Sequence, residues 1–310
     1  MKVLFVRSAN NGISPITTQQ AISLREEGCI IKFYDIKGKK AIGYIKNLKS
    51  LRSMIKDFNP DIIHAHYSMS GILCFLSNSG IPTGISFMGS DIIRSSKLMN
   101  SVNILLSRFF YQFIIVKSSE MHQLLRVKKA KILGNGVNLN IMKTKSKTEA
   151  QEFLKWDTYK KHILFPANPT IEVKNYPLAK SFFDEIKRKT NEEIELHFLN
   201  NIKFENVHYY YNASDLVLFT SSSEGSPNVI KEAMACNCPI ITTDVGDVKQ
   251  LLKNTSNWCL LNPKNINESL KFGLAVLKSG VRSNGRKSIQ DLSSSRVAKK
   301  IISIYKNAMN

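Results

Sequence analysis

The chain has 310 residues, 43% of them hydrophobic, which is enough for the packed cores of two domains and excludes a globally disordered protein. Its 44 lysines and arginines outnumber 24 aspartates and glutamates, and the net charge of +20 indicates either a polyanionic partner or simply a lysine-rich solvated surface. Five scattered cysteines favour a reducing compartment, the first apolar run is too short for a signal peptide, and no run is long enough to cross a membrane.

The first part of the chain alternates short apolar strands with helical patterns, which predicts a parallel sheet with crossover helices. The predicted strands are Lys2–Val6, Ile30–Tyr34, Asp61–Ala65, Thr83–Phe87, Phe113–Val116 and Ala130–Leu133. The predicted helices are Ile16–Glu27, Ile42–Phe58, Met69–Asn78, Lys97–Tyr111 and Ser118–Leu125. A polar, charged stretch, 141–160, is predicted to link this first domain, 1–140, to the next.

A second alternating series predicts another α/β domain over 161–292, followed by a terminal helical segment over 293–310. Its predicted strands are Ile163–Pro166, Ile194–Phe198, Leu216–Thr220, Pro239–Thr242 and Trp258–Leu260. The predicted helices are Tyr176–Lys189, Pro227–Cys236, Asp247–Lys253, Ile266–Lys278 and Ser295–Asn307. Two such halves predict a ligand cleft at the carboxyl ends of the strands.

The segment 223–236 is the most informative part of the chain. It follows a predicted buried strand, and Ser226 suits a helix N-cap while Pro227 suits the first helical position. The free amides and the positive end of the helix dipole at such a start favour a phosphate. Glu224 and Glu232, eight positions apart, flank this spot, and carboxylates accept hydrogen bonds from hydroxyls. Together these features indicate a sugar–diphosphate–ribose ligand, which is a nucleotide sugar.

The spacing Glu224-x7-Glu232, followed by Ala233–Cys236 and Pro239–Gly246, resembles the donor-site signature of the family-4 retaining glycosyltransferases. Further segments similar to that family stand in the expected order along nearly the whole chain: Asn59–His66, Phe87–Asp91, Gly134–Asn138 and Val173–Asn175. The resemblance implies the α/β fold called GT-B, in which two Rossmann-like domains enclose a cleft and a C-terminal helix crosses back to the first domain. It assigns the acceptor to the first domain and the nucleotide-sugar donor to the second.

On the donor side, the resemblance implies catalytic roles for Glu224, which would contact hydroxyls of the sugar, and for Lys174, which would stabilise the departing nucleoside diphosphate. The alternative interpretation is that Lys174 is an ordinary solvated lysine on the surface. Glu232 is implied to hold the ribose, although its position also suits a solvated helix glutamate paired with a neighbouring lysine. Pro169 stands where the family usually has an arginine, so a second cation is either missing or comes from elsewhere. The implied donor-binding residues are Lys174, Glu224, Gly225, Ser226, Pro227, Asn228, Val229 and Glu232.

On the acceptor side, the resemblance implies four residues: Gly12, His64, His66 and Asp91. His64 and His66 alternate onto one side of a strand, where the competing role is a hydrogen bond to a loop carbonyl. Asp91 would orient an acceptor hydroxyl or cap a helix. Met88 stands where many family members have a histidine, so the proton of the acceptor is expected to pass to the leaving phosphate.

Neither a metal nor a cofactor is predicted, because no Asp-x-Asp pair stands beside a donor-type strand. The stretch Leu98–Tyr111 is unusually apolar and has basic neighbours, so it suits contact with an anionic membrane surface. The helical pattern over Tyr44–Phe58 suits the same role or plain packing on the sheet. A nucleic-acid partner is not expected, because helix-turn-helix spacing, zinc-finger ligands and an aromatic–basic motif are all missing from the sequence.

These observations predict a cytoplasmic, metal-independent retaining hexosyltransferase that contacts the inner face of the plasma membrane. It would move a sugar from a nucleoside-diphosphate sugar to a glycan acceptor, either a polyprenyl-diphosphate-linked sugar or a surface polysaccharide. Two alternatives stay open: a nucleotide-sugar epimerase of the same fold, and a catalytically silent relative that acts as a binding partner.

Overall fold

The computed structural model describes residues 1–10, 12–38 and 40–309, except for the side chains of residues 40 and 41. Asn11, which precedes Gly12 in the sequence, lies outside the described residues. The chain forms two units: the first contains Met1–Gly136 together with Ser294–Asn310, and the second contains Val137–Ser293. The first unit is therefore completed only by the end of the chain.

The first unit is built on a six-stranded parallel sheet with the order β2-β1-β3-β4-β5-β6. Its strands are β1 (Lys2–Ser8), β2 (Ile30–Ile36), β3 (Ile62–His66), β4 (Thr83–Ser86), β5 (Phe113–Val116) and β6 (Lys131–Ile132). Its helices up to residue 136 are α1 (Pro15–Glu26), α2 (Lys40–Ile45), α3 (Leu48–Phe58), α4 (Ser68–Ser77), α5 (Ser90–Ile93), α6 (Lys97–Phe109) and α7 (Ser119–Leu125). Strands β3, β4 and β5 are buried along their whole length, because helices cover both faces of a parallel sheet.

The second unit is built on a five-stranded parallel sheet with the order β11-β10-β9-β7-β8. Its strands are β7 (Lys161–Phe165), β8 (Ile194–Phe198), β9 (Leu216–Phe219), β10 (Ile240–Thr242) and β11 (Trp258–Leu260). Its helices are α8 (Lys147–Leu154), α9 (Tyr176–Lys189), α10 (Val207–Ala213), α11 (Asn228–Ala235), α12 (Val248–Leu252), α13 (Asn267–Ser279) and α14 (Gly285–Ser288), with 3-10 turns at Glu172–Lys174, Phe204–Asn206 and Gln290–Leu292. The strand order reverses between β7 and β9, and such switch points are where open α/β sheets bind ligands.

Helices α5, α10 and α14 were not predicted from the sequence, and two predicted segments are organised differently in the structure. The predicted helix Ile42–Phe58 is two helices, because the Asn47 side chain donates hydrogen bonds to the carbonyls of Lys37 and Gly43 where a continuous helix would pass. The stretch 141–160, predicted as a linker, contains α8, which packs on α10 and buries Ala150 completely. Its charged residues occupy the outer face of an amphipathic helix, so this stretch is part of the second unit.

The last helix, α15 (Ser294–Met309), packs against α1 and β5, which confirms that the terminal helix returns to the first domain. The hydroxyl of Tyr305 lies 2.5 Å from Nδ1 of His64 in β3. Both side chains are completely buried, so this hydrogen bond satisfies two polar atoms that water cannot reach. The return of the chain therefore supplies the hydrogen-bond partner of one buried imidazole nitrogen in the first core.

Replacing Tyr305 with phenylalanine should lower the free energy of unfolding by about 1–3 kcal/mol, because Nδ1 of His64 loses its partner in a buried site. Tyr159→Phe is the matched control, since Tyr159 is 93% exposed, and it should change this free energy by less than about 0.5 kcal/mol. Urea unfolding of both full-length variants measures the difference. Equal midpoints for the two variants would contradict the role given to this bond.

Candidate active site

Two loops of the second unit meet at the carboxyl ends of β7 and β9. The first loop contains the turn Glu172–Lys174, and the second spans 220–227. Hydroxyls of the second loop donate to backbone carbonyls of the first: Thr220 to Lys174 at 3.0 Å, and Ser221 to Val173 at 2.9 Å. These bonds hold the backbone of Lys174 beside the loop that carries Glu224.

Lys174 and Glu224 form an ion pair in which Nζ lies 2.5 Å from Oε1. The Ser221 hydroxyl oxygen lies 2.8 Å from the same carboxylate oxygen, so its one proton is shared between Glu224 and the Val173 carbonyl. The two side chains are 21% and 19% exposed, so water screens their charges less than it would at an open surface. The structure therefore brings together the two residues that were predicted to be catalytic, and these contacts use only one oxygen of Glu224.

Helix α11 begins at Asn228, one residue later than predicted. Pro227 occupies the N-cap position with φ −69° and ψ 122°, and its ring cannot cap the amides of the first turn. The prediction of Ser226 as N-cap is wrong, because its hydroxyl instead donates to Oδ2 of Asp247 at 2.7 Å. The first-turn amides at residues 228 and 229 thus lie at a helix start of the kind that binds anions.

The loop after β10 supports the 220–227 loop from behind. Gly246 has a φ of +58°, and a Cβ at this residue would lie 2.4 Å from the carbonyl oxygen of Gly225, so only glycine permits the approach. Lys231 on α11 is completely buried, its Nζ lies 3.4 Å from the carbonyl of Ser226, and burial lowers its pKa to about 8. Sequence reasoning missed this support, because a lysine beside Glu232 in a lysine-rich chain resembles a solvated neighbour.

Glu232 is partly buried on α11. The hydroxyl of Tyr211, itself completely buried, donates to Oε2 at 3.0 Å, and burial raises the pKa of this carboxyl group. In the alternative interpretation, Glu232 is a solvated glutamate paired with Lys231 or Lys249. Lys249 instead pairs with Asp244. The buried Lys231, however, lies close enough to act electrostatically on Glu232. The predicted contact between Glu232 and a ribose stays a prediction.

A cavity of about 460 Å³ adjoins these loops in the second unit. It lies at the carboxyl ends of β9, β10 and β11, and the residue after Lys174 contributes to its wall. Lining residues include Asn175, Leu178, Thr220, Thr243, Leu261 and Asn262. Hydroxyl and amide groups among apolar side chains, in a cavity of this size, suit a small polar ligand.

In the first unit, Gly12 and Asp91 line a common cavity of about 730 Å³. His64 and His66 do not line it, because both are completely buried in β3. Nε2 of His64 lies 2.8 Å from the Ser86 hydroxyl. Nε2 of His66 lies 2.8 Å from Oε1 of Gln20. Burial lowers the pKa of both imidazoles, that of His66 to about 3, so they are neutral core groups, and this burial argues against the predicted contacts with an acceptor.

Asp91 stabilises the turn after β4. Its Oδ1 accepts hydrogen bonds from the amides of Met88 and Gly89, both at 2.9 Å. The alternative role as N-cap is wrong, because Gly89 occupies the N-cap position of α5. Among the described residues, Oδ2 has no hydrogen-bond partner, and burial raises the pKa of the carboxyl group to about 6. In the described part of the chain, Asp91 therefore has one buried carboxyl oxygen without a partner, and the residue lies in the wall of the cavity.

Asp91→Asn should change the pH dependence of stability. Folding raises the pKa of Asp91 from 3.8 to about 6, so the native state binds this proton more tightly than the unfolded chain does. The contribution of the group to stability therefore falls as the pH rises from about 4 to 6. The variant does not titrate, so the unfolding free energy of the unmodified protein minus that of the variant should decrease over this range and then level off. Urea unfolding at a series of pH values measures it.

Asp57→Asn is the control for this measurement, because it removes a carboxylate from the exposed face of α3. If the difference in unfolding free energy between the unmodified protein and Asp91→Asn stays constant between pH 4 and 6, the pKa of Asp91 is not raised.

The chain matches two family models. Residues 13–125 match the model described as "Glycosyl transferase 4-like", and residues 176–277 match the model described as "Glycosyl transferases group 1". Among curated proteins, the putative teichuronic acid biosynthesis glycosyltransferase TuaC of Bacillus subtilis is 25% identical over 70% of this chain and 61% of its own. The capsular polysaccharide biosynthesis glycosyltransferase CapH of Staphylococcus aureus is 23% identical over 80% of this chain and 77% of its own.

Solved structures resemble the chain along nearly its whole length. Sucrose-phosphate synthase from Thermosynechococcus elongatus superposes with a TM-score of 0.81 at 14% identity, covering 99% of this chain and 98% of that one. HepE from Anabaena, solved in complex with UDP and glucose, superposes with a TM-score of 0.68 at 14% identity, covering 99% and 97%. At this identity the likeness concerns the fold, and it confirms the predicted GT-B architecture.

Proposed function

Because the chain belongs to the group 1 glycosyltransferases, we propose that it transfers a sugar from a nucleoside-diphosphate sugar with retention of stereochemistry. The observation that carries this proposal is the Lys174–Glu224 pair beside the start of α11. The proposed acceptor is a surface polysaccharide or its lipid-linked precursor. TuaC and CapH, which are named for teichuronic acid and capsular polysaccharide biosynthesis, support that class of acceptor.

In this proposal the departing diphosphate is stabilised by two sources of positive charge. The ammonium group of Lys174 has three donors, so it can bind Glu224 and a phosphate oxygen together. The amides at the start of α11 supply the second source through the helix dipole. Charge stabilisation of this kind lowers the barrier to breaking the bond between the sugar C1 and the phosphate oxygen. No metal or other cofactor is needed for that step.

The proton of the acceptor passes to the departing phosphate in this mechanism. The acceptor oxygen forms its bond to C1 on the face that the phosphate leaves, and the phosphate oxygen that leaves takes the acceptor's proton. Met88 has no basic group, which agrees with a reaction that requires no side-chain base. The second oxygen of Glu224 holds a hydroxyl of the transferred sugar and so positions C1 against the acceptor.

The nucleoside would occupy the cavity of about 460 Å³ beside Asn175. Its size and its mixture of hydroxyl, amide and apolar groups support this placement. HepE has been solved in complex with UDP-glucose, so UDP-hexoses and UDP-N-acetylhexosamines are the first donors to test.

Lys174→Met and Glu224→Gln should each lower the transfer rate by about 10²–10³-fold, because each removes a contact that stabilises or orients the transition state. The assay is acceptor-dependent release of UDP, with and without EDTA, and the rate should not change with EDTA. Lys180→Met and Glu172→Gln are the matched controls, since both residues are exposed near the same turn and should retain the rate. Thermal shift with UDP gives a second readout, which Lys174→Met should weaken.

Other outcomes would favour the two alternative functions. Conversion of the donor to an epimer without any acceptor would favour a nucleotide-sugar epimerase. A thermal shift with UDP-sugars that Lys174→Met leaves unchanged, together with no UDP release for any acceptor, would favour a catalytically silent relative. Full activity of either site variant would overturn the mechanism.

We also propose that the first unit contacts an anionic membrane at its cytoplasmic face. Helix α6 exposes Leu98 by 78%, Leu105 by 57% and Phe109 by 81%, at spacings that place them on one stripe. The buried residues of this helix include Asn103 and Ser107 on the opposite face, so the stripe faces away from the core of the unit. A net charge of +20 complements anionic headgroups. In the described part of the chain, no helix combines the length and apolarity that crossing a bilayer requires.

The full-length protein should co-sediment with phosphatidylglycerol vesicles at low salt and not with phosphatidylcholine vesicles. A double variant, Leu98→Ser and Phe109→Ser, should bind at least about tenfold more weakly, because each buried apolar side chain contributes roughly 1.5–3 kcal/mol. Val281→Ser is the control, since Val281 is 56% exposed on the second unit. Equal binding by the double variant and the unmodified protein would remove α6 from the proposed surface.

A further inference from the structure

Three potential metal ligands of the second unit converge on one face of the β7–β8 pair. His162 lies on β7, whereas Glu195 and His197 lie two residues apart on β8. The parallel register places His162 opposite Glu195. Because residues two apart on a strand point to the same face, the side chains of Glu195 and His197 both reach His162.

The donor atoms of these side chains have nearly the spacing of a metal site. Nδ1 of His162 lies 2.9 Å from Nε2 of His197, and Oε2 of Glu195 lies 3.9 Å and 3.7 Å from these two nitrogens. Ligands about 2.0–2.2 Å from a tetrahedral Zn²⁺ lie about 3.3–3.6 Å from one another. Small side-chain movements would therefore bring all three atoms within bonding distance of one ion.

The orientation of both imidazoles suits a metal ligand. Nε2 of His162 lies 2.8 Å from the carbonyl oxygen of Asp157, to which it donates its proton, so Nδ1 faces the cluster with a lone pair. Metal-binding histidines usually make such a bond to a carbonyl or carboxylate. The ring of His197 stacks on Trp156, with centroids 3.5 Å apart, and this contact fixes its orientation.

The charged side chains around the cluster are compatible with a bound cation. Lys160 binds Oε1 of Glu195 at 2.7 Å, which leaves Oε2 directed at the two histidines. Its ammonium also lies within 4 Å of carboxylates of Asp157 and Glu193, so three acidic groups surround one lysine. His162 is buried, but Glu195 is 38% exposed and His197 18% exposed, so an ion can reach the cluster from solvent.

We propose that His162, Glu195 and His197 bind a divalent transition-metal ion, with Zn²⁺ as the best match to two imidazoles and one carboxylate. A water molecule would take the fourth position. The cluster lies in the first half of β7, whereas Lys174 follows the carboxyl end of that strand. The ion therefore takes no part in sugar transfer: it joins the edge strand β8 to β7 and stabilises the second unit.

Zinc binding should be measured on the full-length, untagged protein after removal of metals with a chelator. One equivalent of Zn²⁺ should bind in competition with a chromophoric chelator, and it should raise the melting temperature. Co²⁺ in place of Zn²⁺ should give the intense visible absorption of a four-coordinate ion. Sugar transfer should be the same with and without Zn²⁺, so failure of this site and failure of the proposed transferase are distinguishable.

His197→Gln and Glu195→Gln should each weaken Zn²⁺ binding by at least about 100-fold, because each removes one of three ligands. The His197→Gln side chain can still bond to His162, so this variant tests metal binding rather than the fold. His122→Gln on α7 is the control and should bind one equivalent as before. The proposal is overturned if the unmodified protein binds no stoichiometric Zn²⁺, or if His197→Gln binds it equally well; the 2.9 Å contact is then only a hydrogen bond between two histidines.

Discussion

The close approach of two backbones behind the start of α11 is the constraint on which the candidate site depends. Gly246 meets the carbonyl of Gly225 at a distance that leaves no room for a side chain. In this position of the loop, the Ser226 hydroxyl donates to the carboxylate of Asp247 and does not cap the amides of α11. The N-cap residue, Pro227, makes no side-chain hydrogen bond to the amides of the first turn, and Glu224 is held against Lys174.

The two lysines of the site differ in their exposure to solvent. Lys231 lies completely buried against the carbonyl of Ser226, where the low dielectric strengthens each of its hydrogen bonds. Lys174, by contrast, keeps about a fifth of its surface exposed. One lysine thus supports the loop, and the other remains accessible to a ligand. This division explains how a chain with many lysines can place a few of them in specific roles.

Two buried histidines in the first core take their hydrogen-bond partners from distant parts of the chain. His64 and His66 stand on a strand that is buried on both faces, so each imidazole needs partners from inside the protein. Ser86 and the hydroxyl of Tyr305 bond to the two nitrogens of His64. Gln20 bonds to Nε2 of His66. Because Tyr305 belongs to α15, one of the partners of His64 comes from the terminal helix.

Local patterns in the sequence determined most of the elements and the donor motif. Alternating apolar runs and helical periods predict both sheets, and the Glu224–Glu232 spacing with a proline at the helix start predicts an anion site between two carboxylates. Each of these signals lies within about 15 residues, which is the range over which backbone geometry alone relates side chains to one another.

Only the tertiary structure decided which side of each element faces the core. In a parallel sheet both faces are covered, so alternation places His64 and His66 on one side without showing that this side is closed. The burial of Lys231 on α11 and the packing of α8 on α10 depend on contacts between helices and their neighbours, which a local pattern does not show. His162 and His197 are 35 residues apart, and they meet because β7 and β8 pair in a particular register. That register depends on the packing of the whole sheet, and no short segment of the sequence records it.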